Sequence, residues 1–425
     1  MSKIGVIGIG YVGLTTALGF ASRGNLVTCI DIDIERIDKL KLGISPIVES
    51  GLDELLRSCS LAHSITFQSF FDETIGELDF IILCVPTPQN QDGTADMSSI
   101  RSAIHSLSPF LHKQTIIITK STVPVGSTKI IEELLPPGSM GVVSNPEFLR
   151  EGSAIHDFLH PDRIVIGSDD RDSAARVAEL YCDFQSPIVL TDPATAETIK
   201  YVANAFLATK LSFVNAIAAL SEAVGANIEH LTTAVGLDKR IGADFLQPGP
   251  GWGGSCFPKD TAALIKIAER HGYDFSFLKS VIQINEEQFT RVFNKVAGLL
   301  SGSLKSKKIA VWGLTFKAET DDIRDSPALK IVRLLLNSGA HISAFDPTVR
   351  STLKNFEEVD VSSSPIAACE KADLLLVTTE WKTFSEQIPN SIGKQMALRN
   401  VVDSRNILDP PKWKQAGFIY RGIGR

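Results

Sequence analysis

The sequence predicts an α/β protein in which two doubly wound domains are joined by a central helical domain. Short apolar runs alternate with helical segments at both ends of the 425-residue chain, whereas the middle reads as helix alone. The runs that begin near residue 308 also repeat those that begin near residue 3. Alternation of strand and helix is typical of a parallel sheet with helices on both faces.

The first domain is predicted to comprise residues 1–190. A helix is expected over residues 11–22, and further helical segments separate most of the later strands. The predicted strands cover residues 3–8, 26–30, 80–85, 115–119, 141–144 and 164–166.

The central domain is predicted to comprise residues 191–301. Asp192 and Pro193 form a helix N-cap followed by a first-turn proline, and the helical pattern then continues to about Gly225. A helix of that length spans about 48 Å, which is too long for one small domain. We therefore predict a spine between domains, with a subunit interface as its second role. Further helices are predicted over 227–236, 260–271 and 276–301.

The last domain, residues 302–425, follows a short polar linker. Residues 308–313 repeat 3–8, residues 341–346 repeat 26–31, and residues 373–377 repeat 79–83. We call residues 3–83 the first copy of this pattern and residues 308–377 the second copy. Where the first copy has three glycines after its first strand, the second has Gly313-Leu314-Thr315-Phe316-Lys317. The second copy is therefore expected to bind a different ligand or none.

Composition excludes several classes of function. Hydrophobic content of 44% and charged content of 21% are ordinary for a globular protein, and a net charge of −7 argues against nucleic acid as a partner. No apolar run of about 20 residues is evident, and the N-terminus has no leader pattern, so we expect a cytoplasmic protein without a membrane partner. The six cysteines include no CxxC pair and no zinc spacing, so no metal is expected.

The stretch from Lys3 to Gly13 predicts a Rossmann-like dinucleotide site. Gly8, Gly10 and Gly13 follow a strand and precede a helix, where they allow a tight turn, close approach of the pyrophosphate, and helix–strand packing. Asp31 ends the second strand and would bind the adenine ribose hydroxyls while repelling a 2′-phosphate, which favours NAD. Arg36 leaves NADP as the alternative. The predicted cofactor contacts here are Gly8, Gly10, Tyr11, Val12, Gly13, Asp31 and Arg36.

The most informative stretch is Gly253 to Asp260. It places Cys256 on a glycine-containing turn, with Lys259 close behind and a helix that Pro258 opens and that runs to about Arg270. A helix N-terminus and a nearby cation favour the thiolate. A buried structural cysteine is the alternative. A nucleophilic thiol and a nicotinamide site in one chain suggest oxidation through a covalent thioester.

Three further stretches are candidate parts of the catalytic or binding site. Residues 144–152 read as a cap, a first-turn proline and one or two helical turns, with Glu147 and Glu151 on one face. Lys200 and Asn204 lie four residues apart on the long helix. Residues 120–124 end a strand, where open α/β sheets bind ligands. The alternative for Glu147 and Glu151 is a solvated acidic face. For Lys200 and Asn204 it is a pair on the helix surface, and for residues 120–124 it is a simple turn.

Together these residues resemble the UDP-glucose/GDP-mannose dehydrogenase family, whose members oxidise the C6 alcohol of a nucleotide sugar to a carboxylate. The resemblance covers nearly the whole chain and extends through Phe316–Arg324, Thr379–Trp381 and Gly422–Arg425. The segment 254–260 is similar to the UDP-glucose branch. The resemblance implies four-electron oxidation of UDP-glucose to UDP-glucuronate with two NAD⁺ per turnover. The same chemistry on GDP-mannose, dTDP-glucose or a UDP-N-acetylhexosamine is the alternative.

The resemblance also implies roles for single residues. Cys256 would form a thiohemiacetal and then a thioester, Lys200 would stabilise the oxyanion, and Glu147 would assist hydrolysis. The group that holds the catalytic water would be Asn204, Asp260 and Thr122. The implied cofactor contacts in addition are Thr87, Ser121, Thr122, Glu151, Lys259 and Arg324. The implied substrate contacts in addition are Phe148, Leu149, Glu151, Phe245, Leu246, Gln247, Pro248, Gly249, Gly253, Phe316, Lys317 and Arg405.

Arg240 resembles an arginine that reaches the sugar site of a neighbouring subunit, so a homodimer or larger homo-oligomer is expected. The catalytic cleft is expected between the two α/β domains. Of the departures from the family pattern, Ser50 is expected to change little, whereas Trp252 and Ser404 bear on substrate identity more than on chemistry. Competing readings are a two-domain β-hydroxyacid dehydrogenase, which needs no thiol, and an NAD-binding regulatory protein.

Overall fold

The chain folds around two separate sheets, one in each of two compact units. The computed structural model describes residues 1–90, 92–112, 114–136 and 141–425. Unit 1 comprises residues 1–203 and 262–272, and unit 2 comprises residues 204–261 and 273–425.

Unit 1 contains an eight-stranded sheet in the order β3-β2-β1-β4-β5-β6-β7-β8. Neighbouring strands are parallel except β6 and β7, which meet antiparallel. The predicted doubly wound architecture is confirmed, whereas the antiparallel pair was not predicted. The strands are β1 (Lys3–Ile7), β2 (Leu26–Ile30), β3 (Ile65–Gln68), β4 (Phe80–Leu83), β5 (Ile116–Thr119), β6 (Val142–Ser144), β7 (Ile164–Gly167) and β8 (Ile188–Thr191).

Within the described residues before 193, seven α-helices accompany the strands of this sheet. The inner strands β4, β5, β6 and β7 are fully buried and mainly aliphatic, as expected for strands enclosed on both faces, whereas β3 and β8 at the edges of the sheet are partly exposed. The helices are α1 (Tyr11–Ser22), α2 (Ile34–Lys41), α3 (Leu52–Leu61), α4 (Ser98–Leu107), α5 (Ser127–Leu134), α6 (Ala154–Leu159) and α7 (Arg171–Glu179).

The predicted long helix is α8 (Pro193–Val224), 32 residues. As predicted, Asp192 caps it, because the Asp192 carboxylate accepts a hydrogen bond from the Thr195 amide at 2.8 Å. The helix is long and apolar enough to satisfy the length and composition of a membrane span, contrary to the expectation from sequence. The same test is passed by core helices of globular proteins, and α8 carries buried polar side chains, Lys200 and Asn204 among them, that are hydrogen-bonded within the protein.

Glu197 anchors α8 within unit 1. Its buried carboxylate accepts hydrogen bonds from the Gly126 amide at 2.5 Å and from the Thr128 amide and hydroxyl at 2.8 and 2.7 Å. Burial raises the pKa of Glu197, although these hydrogen bonds act in the opposite direction. The anchor joins α8 to the start of α5, directly after the loop at residues 120–126.

Unit 2 contains a six-stranded parallel sheet in the order β11-β10-β9-β12-β13-β14. This order repeats that of the first six strands of unit 1, which confirms the predicted second doubly wound fold. The strands are β9 (Lys308–Trp312), β10 (His341–Phe345), β11 (Val359–Val361), β12 (Leu374–Val377), β13 (Asn400–Asp403) and β14 (Ile419–Arg421).

The predicted helical middle of the chain is also present. After α8 it contains α9, α10 and α11, whose bounds lie within about three residues of the predicted ones. The remaining helices pack on the second sheet. The bounds are α9 (Ile228–Gly236), α10 (Phe257–Arg270), α11 (Ser276–Leu299), α12 (Pro327–Asn337), α13 (Pro365–Ala368), α14 (Lys382–Ser385), α15 (Pro389–Gln395) and α16 (Pro410–Gln415).

Candidate active site

The glycine turn after β1 has the geometry that a dinucleotide requires. Gly8 has a φ of +88°, and a Cβ on it would lie 2.8 Å from the Cys84 carbonyl oxygen. A Cβ on Gly13 would lie 1.9 Å from the Gly8 oxygen, so only glycine lets α1 pack this close. A Cβ on Gly10 would meet nothing within 4 Å. The turn is therefore open at Gly10, where a pyrophosphate would approach the start of α1.

Asp31 is fixed beside this turn. Its carboxylate accepts hydrogen bonds from the Ile9 amide at 2.6 Å and from the Asp33 amide at 2.9 Å. The Arg36 guanidinium donates to it at 3.0 Å and lies 3.4 Å from the Asp33 carboxylate. Because Arg36 is shared between two acids, its charge is largely compensated. This arrangement favours a ribose diol over a 2′-phosphate.

Tyr11 is hydrogen-bonded to Glu49, a carboxylate that is 38 residues away in the sequence. The Tyr11 hydroxyl donates to Glu49, and the Gly152 amide donates to the Glu49 carboxylate at 2.7 Å. The Ala154 amide donates to the same carboxylate at 2.8 Å. Glu49 thus holds the start of α1 against the segment that contains Glu151. The sequence analysis did not assign Glu49, although the turn that contains it is part of the family resemblance.

The loops after β4 and β5 are held together by hydroxyl groups. The Thr87 hydroxyl donates to the Thr122 carbonyl oxygen at 2.7 Å, and the Ser121 hydroxyl donates to the Val85 carbonyl oxygen at 2.7 Å. These loops follow the carboxyl ends of adjacent parallel strands, close to the switch point between β1 and β4. Three predicted cofactor contacts, Thr87, Ser121 and Thr122, therefore lie together.

The segment around Glu147 is a loop, so the helical turns predicted for residues 144–152 are wrong. Residues 145–150 have no regular structure, and α6 begins only at Ala154. The backbone amides find long-range or side-chain acceptors in place of helical carbonyls. Leu149 donates to the Glu147 carboxylate at 2.7 Å, and Arg150 donates to the Asp157 carboxylate at 2.9 Å. Glu147 and Glu151 consequently do not share a helical face.

Glu147 instead forms a buried ion pair with Lys200 of α8. The ammonium and carboxylate are 2.7 Å apart, and the two side chains are 4% and 7% exposed. Burial alone would raise the pKa of Glu147. The charge and hydrogen bond of Lys200, the Leu149 amide and the charge of Lys120 outweigh it and hold this pKa below its usual value. Glu147 is therefore ionised at neutral pH and can act as a base.

Phe148 and Leu149 lie beside this pair. The Phe148 ring has the Arg163 guanidinium 3.7 Å and the Lys200 ammonium 5.6 Å from its centroid. A cleft of about 110 Å³ opens along the same loop. Lys120, which the sequence analysis did not assign, lines this cleft together with Glu147 and Arg163.

In unit 2, Cys256 lies on a tightly packed glycine turn directly before α10. A Cβ on Gly253 would lie 1.9 Å from the Asp325 carbonyl oxygen, and one on Gly254 would lie 2.9 Å from the Phe316 ring. The predicted helix is confirmed over Phe257–Arg270, with Pro258 in its first turn. Cys256 is half-buried, and its sulfur is 3.6 Å from the Ser255 hydroxyl.

Asp260 organises the first turn of α10. Its fully buried carboxylate accepts hydrogen bonds from the Lys259 ammonium at 2.5 Å and from the Asn204 side-chain amide at 2.6 Å. Lys259, which the sequence places near the thiol, is thus partly compensated by Asp260. Asn204 is buried and does not form the surface pair with Lys200 that was considered as an alternative.

The predicted sugar loop in unit 2 is pinned at its end. The Gly249 amide donates to the Asn215 side chain at 2.8 Å, and the Gln288 side chain donates to the Gly249 carbonyl oxygen at 2.7 Å. Within the loop Leu246 and Pro248 are buried, Gln247 is exposed, and Phe245 has a φ of +60°.

Arg405 lies next to this loop. A Cβ on Gly249 would be 3.2 Å from its guanidinium, which donates to the carbonyl oxygens of Thr378 and Phe316 at 3.0 Å each. The Lys317 ammonium lies 5.6 Å from the Phe316 ring centroid. Most of the predicted nucleotide-sugar contacts lie in unit 2, where Arg405 connects Gly249 with Phe316: Phe245, Leu246, Gln247, Pro248, Gly249, Gly253, Phe316, Lys317 and Arg405.

Two predicted arginines are exposed and are hydrogen-bonded within their own turns. The Arg240 side chain is 89% exposed and donates to Asp238 in its own turn at 2.6 Å. The Arg324 side chain is 64% exposed and donates to Asp322 at 2.7 Å.

Two departures from the family pattern are packing residues. The Trp252 indole is 5% exposed and donates to the Ser212 hydroxyl at 2.9 Å. Ser404 is fully buried and donates to the Val377 carbonyl oxygen at 2.6 Å. Neither side chain is available to select a substrate directly.

Comparison with known proteins covers almost the whole chain. The NAD-binding domain of the UDP-glucose/GDP-mannose dehydrogenase family matches residues 2–185, its central domain matches 194–287, and its UDP-binding domain matches 310–410.

Two relatives are similar over their full length. The chain is 42% identical to UDP-glucose 6-dehydrogenase TuaD of Bacillus subtilis, with 100% of this chain and 94% of that protein aligned. It is 43% identical to UDP-glucose 6-dehydrogenase of Rickettsia conorii, with 99% of each chain aligned.

Two solved structures have nearly the same fold. One is a UDP-glucose dehydrogenase from Pyrobaculum islandicum, with a TM-score of 0.90 and 33% identity over 100% of this chain and 98% of that one. The other is a UDP-D-ManNAc dehydrogenase from Pyrococcus horikoshii, with a TM-score of 0.89 and 30% identity over 100% and 99%. With its two doubly wound folds, its open glycine turn and its Cys256 turn, the chain belongs to the UDP-glucose/GDP-mannose dehydrogenase family.

Proposed function

We propose that this chain oxidises UDP-glucose at C6 to UDP-glucuronate with NAD⁺, through a covalent adduct on Cys256. The observation that carries the proposal is the identity of 42–43% across the whole chain to relatives named UDP-glucose 6-dehydrogenase. The fold alone does not select the sugar, because the UDP-D-ManNAc dehydrogenase structure is almost equally similar. GDP-mannose, dTDP-glucose and UDP-N-acetylhexosamines remain the alternative substrates.

NAD is the cofactor, and the turn at Gly8, Gly10 and Gly13 fits its pyrophosphate because the backbone is open only at Gly10. Asp31 would hold the adenine ribose. Each bound NAD⁺ would accept two electrons, so removal of four electrons uses two molecules. The other proposed contacts are Tyr11, Val12, Arg36, Thr87, Ser121, Thr122, Glu151, Lys259 and Arg324.

Cys256 would keep the intermediate from escaping. An aldehyde formed midway would otherwise hydrate and diffuse away. Addition of the thiolate to the aldehyde carbon gives a thiohemiacetal, and its oxidation gives a thioester. Lys200 would stabilise the oxyanion forms; a preorganised group of this kind contributes about 3–4 kcal/mol.

Hydrolysis of the thioester would depend on Glu147. Its low pKa keeps it ionised, so it can take a proton from water as the water oxygen bonds to the carbonyl carbon and the C–S bond breaks. We assign orientation of this water to Asn204, Asp260 and Thr122. Asp260 supports this role because it fixes the Asn204 amide at 2.6 Å.

The diphosphate of the substrate would be held in unit 2. Arg405 lies beside the sugar loop, and its guanidinium donates to the carbonyl oxygen of Phe316, the residue before Lys317. We propose that these two cations bind the diphosphate, since an arginine–phosphate contact is charge-assisted and geometrically specific. We propose that the backbone of Phe148 and Leu149 and the loop at 245–249 complete the sugar contacts.

We further propose three domains, at residues 1–190, 191–301 and 302–425, a cytoplasmic location, and a homodimer formed through α8. Phe206, Phe213 and Leu220 recur every seven residues on α8 and are 64%, 58% and 55% exposed. Such an apolar stripe is typical of a helix that packs against another helix. The exposed Arg240 would then reach the partner's sugar site.

The substrate assignment predicts a stoichiometry. With UDP-glucose as the limiting reactant, two NADH should form per UDP-glucuronate, followed by absorbance and by product chromatography. GDP-mannose, dTDP-glucose and UDP-N-acetylglucosamine should each give kcat/KM at least about a hundredfold lower, because a site built for one set of polar groups leaves them unpaired with another. One NADH per product, or a preferred second sugar, would contradict the assignment.

Covalent catalysis predicts that Cys256→Ser forms no detectable acid while binding NAD with unchanged affinity. The exposed Cys182 offers a matched control, and Cys182→Ser should retain full activity. Acid formation by Cys256→Ser at the wild-type rate would rule out the thioester.

The geometry at Asp31 predicts cofactor preference. Asp31→Ala removes the carboxylate that would bind the adenine ribose, and it leaves Arg36 with only one of its two acidic partners. Because a charged hydrogen bond contributes about 1.5–3 kcal/mol, kcat/KM for NAD should fall about tenfold or more. The relative use of NADP should rise. Asp33→Ala, which removes the other acid, is the control and should keep the preference for NAD. An unchanged NAD/NADP ratio in Asp31→Ala would refute the assigned role.

The stripe on α8 predicts that assembly depends on apolar contact. The double variant Phe206→Glu/Phe213→Glu should be monomeric by light scattering and should lose activity, because Arg240 would lack its partner. Leu61→Glu, at a position of α3 that is 76% exposed, should stay dimeric. A fully active monomeric wild-type protein would disprove both the interface and the role of Arg240.

A further inference from the structure

We propose that Lys120, a buried lysine at the end of β5, is a positioning residue that holds the Glu147 loop and supports Glu147 as the base in thioester hydrolysis. The inference rests on the proposed function and adds to it a group that none of the assigned catalytic roles includes.

Lys120 is connected to the Glu147 loop through Asn145. Its ammonium donates to the Asn145 side-chain oxygen at 3.0 Å and to the Tyr181 hydroxyl at 3.3 Å. Tyr181 donates to the same Asn145 oxygen at 2.5 Å, and the Asn145 amide donates to the Val165 carbonyl oxygen at 2.8 Å. Asn145 lies two residues before Glu147, with only Pro146 between them. The network therefore fixes the entry of the loop.

The partners that the described residues provide for Lys120 are neutral. Besides Asn145 and Tyr181 they are the rings of Phe158 and Tyr181, whose centroids lie 6.0 and 5.9 Å from the ammonium. Lys120 is 5% exposed. A buried cation without a carboxylate hydrogen-bond partner is stabilised by an anion nearby. Glu147 lines the same cleft.

The charge of Lys120 acts on Glu147 in addition to that of Lys200. It contributes to the low pKa of Glu147, after the larger effects of burial, Lys200 and the Leu149 amide. Lys200 is proposed to neutralise the oxyanion during the reaction and is then less available to Glu147. Lys120, whose partners are neutral, would continue to favour the carboxylate. The other titratable groups around Glu147 are Cys84 at the end of β4 and, along the cleft, Arg150, His156, Asp157, His160, Asp162, Arg163 and Tyr181.

The step affected is hydrolysis of the Cys256 thioester. The oxygen of water bonds to the carbonyl carbon, the C–S bond breaks, sulfur leaves as the thiolate, and the water proton passes to Glu147. Only ionised Glu147 can accept that proton. Loss of the Lys120 charge should therefore raise the pKa of Glu147. The acidic limb of the pH profile of kcat should then move to higher pH.

The test compares Lys120→Met with Tyr181→Phe. In Lys120→Met the acid limb of kcat for UDP-glucuronate formation should move up by about one pH unit, which is about a tenfold loss on that limb, with KM for NAD unchanged. The thioester should accumulate as an adduct of Cys256 in intact-mass spectra at low pH. Tyr181→Phe removes a hydrogen bond to Asn145 but no charge, and its acid limb should stay in place.

If Lys120→Met does not fold, Lys120→Gln, which keeps a donor for Asn145, should give the same shift. An unshifted acid limb in the folded Lys120 variant, or an equal shift in Tyr181→Phe, would overturn the inference. Wild-type protein that does not oxidise UDP-glucose would instead refute the proposed function, so the two failures are distinguishable.

Discussion

Glu147 and Lys200 bring opposite charges to 2.7 Å where neither side chain is more than 7% exposed. Removing two such charges from water costs several kcal/mol per ion, which the pair recovers only when its geometry is fixed and its remaining hydrogen-bonding groups are satisfied. The Leu149 amide and the Lys120 charge meet that requirement for Glu147. The loop at 145–150 and the register of α8 are therefore determined together, since a shift of either would leave an unpaired buried charge.

Helix α8 meets this constraint with an unusual distribution of residues. Glu197, Lys200 and Asn204 recur at helical spacing and are all buried, and each has a defined polar partner. Phe206, Phe213 and Leu220 are exposed instead. Because α8 carries apolar residues on its exposed side as well as on its buried side, its composition resembles that of a membrane span. The exposed residues also explain why we assign its apolar stripe to a second copy of the chain.

Sequence predicted well those elements whose signals are local. The bounds of α1 and β2 and the start of α8 at Pro193 follow from apolar runs, the glycine turn and the Asp192 cap. The helix predicted at Pro146 failed because its local cap and proline were outweighed by distant acceptors, Asp157 and Glu49. Lys120 was overlooked for a related reason. A lysine beside two hydroxyl residues reads as a turn, and only the folded chain shows it buried against Asn145 and Tyr181.

The two doubly wound folds show how one turn can be made to bind a dinucleotide or be closed to it. Asp346 occupies the position of Asp31 and likewise accepts an amide of the turn, that of Leu314, at 2.8 Å. It is 1% exposed, and the hydroxyls of Thr315 and Thr348 also donate to it, which satisfies the buried carboxylate. Gly313 corresponds to Gly8, and a Cβ at either position would clash, whereas Gly10, which faces open space, is replaced in the second copy by the fully buried Thr315. The acid has become structural in the second copy, which leaves Lys317 and Arg405 to supply the charge that a diphosphate needs.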